Sequence, residues 1–159
     1  MGRPLSAAPY ARYIRLMAGI DMVFLGIAVA ASALAFGGMV TFSGFFAPMV
    51  FRKLDRQVAD TFMRDVFGPY YTFMAAVCGI AALAAVAVQP WDAAIMALVS
   101  AAFLASRYAA MPRVQKLFDA RERGEYGAAD EFQRIHKNAA FVNMVQLVAV
   151  LAALLRLAL

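Results

Sequence analysis

A chain of 159 residues, 64% of them hydrophobic and only 16% charged, does not have the composition of a soluble domain and reads as one membrane domain. Its net charge of +5 raises nucleic acid as a partner, but the cations stand at the ends of apolar runs and no basic, aromatic reading surface accompanies them. A single cysteine, Cys78, excludes an intrachain disulfide and a cysteine-only metal cluster, and apolar sequence continues to the C-terminus, so the first apolar segment reads as a retained span and not as a signal peptide.

In chain order, Arg3, Arg12 and Arg15 lie opposite Tyr10, Tyr13, Ile14 and Met17 at helical spacing. That pattern suits either a helix lying at the interface or the first turns of the next span. From Met22 to Phe51 no residue is charged, a length of roughly 45 Å as helix, so the first span has to tilt, bend or project beyond the hydrocarbon. Pro48 supplies a bend. Gly19, Gly26, Ala30, Ala33, Gly37, Thr41, Gly44 and Pro48 follow at intervals of three, four or seven and share one face. Gly37, Thr41, Gly44 and Pro48 are expected to form a packing seam that lets another backbone come close.

Residues 52–66 read as a polar connection of mixed charge. The second span, residues 67–88, opens on Pro69 and the aromatic pair Tyr70 and Tyr71, a belt at the membrane interface. The connection 89–92 is so short that the third span, residues 93–111, has to return antiparallel beside the second, with Asp92 as its cap. That span is expected to end at Pro112, and Ser100 and Arg107 share one of its faces. Residues 113–137 read as two amphipathic helical pieces at the membrane surface, interrupted at Gly124 and Gly127. The last span covers residues 137–158. The fold class is therefore all-α, an integral membrane four-helix bundle with a long first span and an amphipathic cytoplasmic segment between spans three and four.

Cations near the span ends set the orientation. Ten lie in the two long loops or, as Lys137 does, directly beside them, against four in the N-terminal segment, the 89–92 turn and the C-terminal end together. Loops 52–66 and 112–136 are therefore expected in the cytoplasm, with both termini outside.

Polar groups inside apolar runs need partners. His136 and Asn143, seven residues apart, share a helix face, and with Tyr70, Tyr71 and Arg107 they form a candidate polar cluster at the cytoplasmic mouth of the bundle. Two readings stay open. In one, the cluster binds an anion, a lipid headgroup or a metal; in the other, Arg107 snorkels to phosphates, His136 satisfies a loop and Asn143 joins helices. One histidine, one cysteine and ten methionines cannot build a three-histidine zinc site, an HExxH helix or a bis-histidine haem. No metal site is assigned; the alternative is haem or copper held by His136 with a methionine or Cys78. No serine or cysteine has a base and orienting acid beside it in the sequence, so the expectation is a protein without enzymatic activity. It binds or passes a small solute, or supports a partner complex. The expected partners are the lipid bilayer and a second copy or another membrane protein.

Four strings recur in order at span ends: V-T-F-S-G-F at Val40 to Phe45 followed by F-R-K-L, V-F-G-P-Y-Y at Val66 to Tyr71, S-R-Y-A-A-M-P at Ser106 to Pro112, and F-Q-R-I-H ending at His136, with Asn143 seven beyond. In these strings the chain resembles the transmembrane protein 205-like family, whose bacterial members carry domain of unknown function 4149. The resemblance covers most of residues 20–150. It implies a small four-span protein of the bacterial cytoplasmic membrane. Human members are linked to resistance to platinum drugs and to vesicle or plasma membranes, whereas no activity is established for the bacterial members. The family's serine-rich stretch after the histidine is Asn138, Ala139 and Ala140 here.

Overall fold

The computed structural model describes residues 8–159, with side chains from residue 17 onward. Among the described residues the chain forms α1 (Ala8–Val40), a π-helical segment (Thr41–Phe46), α2 (Ala47–Lys53), α3 (Arg56–Ala85), α4 (Pro90–Ala105), a second π-helical segment (Ser106–Ala110), α5 (Met111–Glu122) and α6 (Ala128–Ala158). The helix runs on through both π segments. The result is four rods, Met17–Lys53, Arg56–Ala85, Pro90–Glu122 and Ala128–Ala158, each long and apolar enough to cross a membrane.

The polar stretches are helical too. Residues 56–66 are the first turns of α3, 111–122 are α5, and 128–136 open α6, which leaves, among the described residues, only 54–55, 86–89, 123–127 and Leu159 outside helices. The two helical pieces expected between spans three and four are present, and each continues the helix of a span. Pro112 does not stop the third rod: it is the second residue of α5, and the helix runs on into α5 through the second π segment. At the N-terminus α1 begins at Ala8, so the stretch before Met17 forms the first turns of a span. The structure of residues 1–7, Arg3 among them, and the side chains of Tyr10, Arg12, Tyr13, Ile14 and Arg15 lie outside the described residues.

The rods run up, down, up and down, and each packs on two neighbours: α1 on α3 and α6, and α4 on α3 and α6. Single contacts fix the registers. On α3, Ser100 Oγ donates to Ala75 O at 2.7 Å, and seven residues further along the third rod Arg107, in the second π segment, lies on Gly68, seven residues back along α3. On the α1 side Gly38 makes room for Met74, whose Sδ would lie 3.3 Å from a Cβ there, and one turn further on Phe42 meets Tyr70. Asn143 Nδ2 of α6 donates to Ser43 Oγ at 3.0 Å, and Leu157 packs with Ala28 at the far end of the same pair.

Small residues dominate the contacts. Ala75, Cys78, Ala81 and Ala82 of α3 and Ala35 and Ala153 of α1 and α6 are buried together with Met39, Met74, Met96 and Phe103. Between apolar rods in an apolar solvent the gain comes from close van der Waals packing, which small residues permit and methionines complete. Large exposed side chains such as Leu83, Leu98 and Phe141 form the outward surface that acyl chains would cover.

The seam expected at Gly37, Thr41, Gly44 and Pro48 is not used between the rods of this chain. All four are exposed, and a Cβ on Gly37 or Gly44 would meet nothing within 4 Å. α1 instead turns Ala28, Ser32, Ala35 and Met39 inward. That face supplies volume as well as closeness, and dispersion energy needs atoms on both sides of a contact.

The α5–α6 turn depends on two glycines with positive φ, Gly124 at 71° and Gly127 at 79°. Gly127→Ala forces a Cβ into the left-handed region and is expected to cost about 1 kcal/mol. Thermal unfolding of the purified variant checks this; an unchanged midpoint would show that the turn relaxes freely.

Candidate functional site

Two ends of the bundle differ in chemistry: a charged end, with the 54–55 and 123–127 turns, and a turn end, with residues 86–92. At the charged end the first and third rods are both interrupted in the same way. Each π segment ends two residues before a proline, Phe46 before Pro48 and Ala110 before Pro112. A proline ring inside a continuous helix meets the carbonyl four residues back, Gly44 or Tyr108, and the wider i→i+5 turn relieves that clash. Such a turn takes up one extra residue, so the side chains beyond it are rotated relative to those before it.

The first π segment divides its side chains between two neighbours. Phe42 stacks on Tyr70 with ring centroids 3.9 Å apart and planes 15° from parallel, while Ser43 accepts the bond from Asn143. Around Tyr70 the aromatic contacts continue: Phe42 with Phe67 at 5.5 Å, Phe67 with Tyr71 at 5.6 Å, and both tyrosines with Phe103 at 6.2 Å. The Tyr70 hydroxyl oxygen is buried and has no hydrogen-bond partner among the described residues.

The second π segment carries Arg107. Its Cζ, Nε and Nη2 lie 3.4, 3.5 and 3.6 Å from the point where Gly68 would carry a Cβ, and Cζ is 5.7 Å from the centre of the Tyr108 ring. Unlike the other arginines that contact α3 or α4, it makes no ion pair or hydrogen bond among the described residues. The carbonyl of Gly68 is taken by Thr72 Oγ1 at 3.1 Å.

Of the residues singled out in the sequence, Tyr70 and Tyr71 meet each other and Phe103, Arg107 meets α3 at Gly68, and Asn143 meets α1 at Ser43; among the described residues no hydrogen bond or cation–π contact joins Arg107 or Asn143 to the tyrosines or to each other. His136 stands apart. It is exposed, seven residues or about 10 Å before Asn143 on α6, with its ring parallel to Phe132 at 6.3 Å. It does not meet Cys78 either, because Cys78 lies in the core with Val150, fourteen residues or about 21 Å further along α6. Met39, Met74 and Met96 share that core with Cys78. Among the described residues no three His, Cys, Asp or Glu side chains come together as a metal site.

Phe42, Ser43, Gly68 and Phe103 complete the cluster and carried no role in the sequence. Three of them stand inside or beside the recurring strings, and that was their only signal. Two charge arrangements also went unread. Beyond the apolar part, α3 and α5 exchange charges reciprocally: Arg64 Nη1 to Asp119 Oδ1 at 3.2 Å and Arg121 Nη2 to Asp60 Oδ2 at 3.5 Å. The same helices share Phe118, with Arg64 Cζ 4.1 Å above its ring. At the turn end, Asp92 is fully buried. Gln89 occupies the cap position expected for Asp92, and its carboxylate instead turns to Arg156 of α6, Nε to Oδ1 at 3.1 Å. That contact is an ion pair off the N–H axis, so neither carboxylate oxygen receives a hydrogen bond.

Fold and site together define a four-helix protein of membrane type whose polar and aromatic residues gather at the charged end, where two spans are interrupted by π turns. The chain belongs to the family described as Domain of unknown function (DUF4149), which it matches over residues 30–123. The match takes in both π segments, Tyr70, Tyr71 and Arg107, and stops before α6. Searches of the curated proteins and of the solved structures found no match to the chain.

Proposed function

We propose that this chain is a non-enzymatic, transmembrane protein 205-like protein of the bacterial cytoplasmic membrane that binds a small solute at its charged end, through Tyr70, Tyr71, Arg107 and Asn143. The carrying observation is the uncommitted guanidinium. Arg107 sits in a π turn, half-buried against α3 at Gly68, with no acceptor among the described residues, and the hydroxyl of Tyr70, two residues along α3 from Gly68, also lacks a partner among them. A half-buried guanidinium held against a helix near the end of a span lacks a counter-charge, and a bound ligand would provide one. Native mass spectrometry of detergent-purified protein tests the reading. The expected spectrum shows a non-covalent adduct on the wild type that is lost in Arg107→Gln and weakened in Asn143→Ala. An adduct retained by both variants, or none on the wild type, would remove the site.

Loops 52–66 and 112–136 face the cytoplasm in this reading, and both termini lie outside. A reporter enzyme active only outside the cytoplasm, fused after Leu159, should then be active. An inactive reporter, with a fluorescent fusion at the same point that does fold inside, would invert the orientation.

A partner role is supported by a separate observation, the outward face of α1, where Gly37 and Gly44 leave open space. Gly37→Leu is expected to abolish crosslinking to a second copy or a membrane partner while the chain still inserts. Unchanged crosslinks would exclude that face.

A further inference from the structure

The guanidinium of Arg107 is seated in a way that restricts what it can bind. The Cβ point of Gly68 is nearest to Cζ, at 3.4 Å, with Nε and Nη2 only slightly further. A point closest to the central carbon lies over the face of the planar group, not off its edge. Arg107 therefore lies flat on α3, on the backbone that Gly68 leaves bare, and its N–H edge runs parallel to that surface.

That edge has no protein acceptor among the described residues. Thr72 occupies the Gly68 carbonyl, Asp60 and Asp119 are engaged by Arg121 and Arg64, and Asp65, one turn before Gly68, makes no ion pair with it within 4 Å. Two parallel N–H donors held in a plane match the oxygens of a phosphate, and an arginine presents them in fixed geometry where a lysine offers a point charge. The position fits as well: Arg107 lies beside the aromatic pair Tyr70 and Tyr71 near the end of a span, the level at which headgroup phosphates meet aromatic belts.

We propose that Arg107, laid on Gly68, is a phosphate-binding residue, taking the phosphate of a phospholipid headgroup or of a free phosphorylated solute. This rests on the site proposed above and names its ligand class. Protein purified in a maltoside detergent is titrated separately with inorganic phosphate and with phosphatidylglycerol in mixed micelles, with thermal unfolding midpoint and native mass as readouts.

Binding of at least one probe is expected, weakened about tenfold in Arg107→Gln and less in Arg107→Lys, which keeps the charge and loses the paired donors. Binding of phosphatidylglycerol alone assigns the site to lipid, and binding of both probes assigns it to the phosphate group itself. Binding of neither probe, or equal binding by wild type and both variants, overturns the proposal. An adduct that depends on Arg107 but is not displaced by either probe would keep the solute site and reject phosphate as its ligand.

Discussion

Arg156→Ala is expected to lower the stability of the purified protein by about 2 to 3 kcal/mol, the largest loss from any single charged residue among those described. The substitution strips the counter-charge from Asp92, whose carboxylate has no exposed surface and no hydrogen-bond donor among the described residues. Leaving one member of a fully buried pair unpaired costs about 3 to 5 kcal/mol, and the lower figure applies because Arg156 itself is 57% exposed and partly screened. Asp92→Asn removes the buried charge, so adding Arg156→Ala in that background should cost far less. Denaturant unfolding in micelles of the four proteins of the cycle measures the coupling. Equal losses from Arg156→Ala in both backgrounds would show that the pair does not interact.

Phe103→Ala is expected to cost about 2 kcal/mol and to disturb the site as well. Phe103 is 1% exposed and touches both tyrosines. In water such a truncation would lose transfer energy and packing together. In a micelle the unfolded chain is already in an apolar medium, so mainly the cavity remains, at about 24 cal/mol per Å³. Since Arg107 stands one turn beyond Phe103 on the same rod, the adduct expected at Arg107 should weaken in the same variant. Phe103→Leu refills most of the volume and should restore most of both. Full stability of Phe103→Ala would mean that the ring fills no essential space.

The spans were legible because a run such as Met22 to Phe51 has no reading other than an apolar rod, and a connection as short as 89–92 forces a hairpin. The shared face of Ser100 and Arg107 was legible for the same reason: seven residues are two helical turns, and both meet α3. Which face of α1 turns inward was not. Gly37 and Gly44 compete with Ala28, Ser32, Ala35 and Met39, and the choice depends on the volume offered by α3 and α6, which periodicity does not contain. The π turns were hidden as well. Pro48 and Pro112 announce a disturbance, but whether the helix ends, bends or widens depends on its neighbours. Asp92 read as a cap because caps are local, whereas its partner Arg156 is 64 residues away. His136 was grouped with Asn143 by helix face alone, and the distance along α6 separates them.

Asn143 is the residue through which the proposed solute site, and its proposed access from the cytoplasm, are measured most directly. In a Cys78→Ala background, Asn143→Cys is treated with a membrane-impermeant thiol reagent, once on intact cells and once on inside-out vesicles. Labelling only in inside-out vesicles, slowed when the bound solute is present, is the expected result. Labelling from the outside of intact cells, or none from either side, would contradict it.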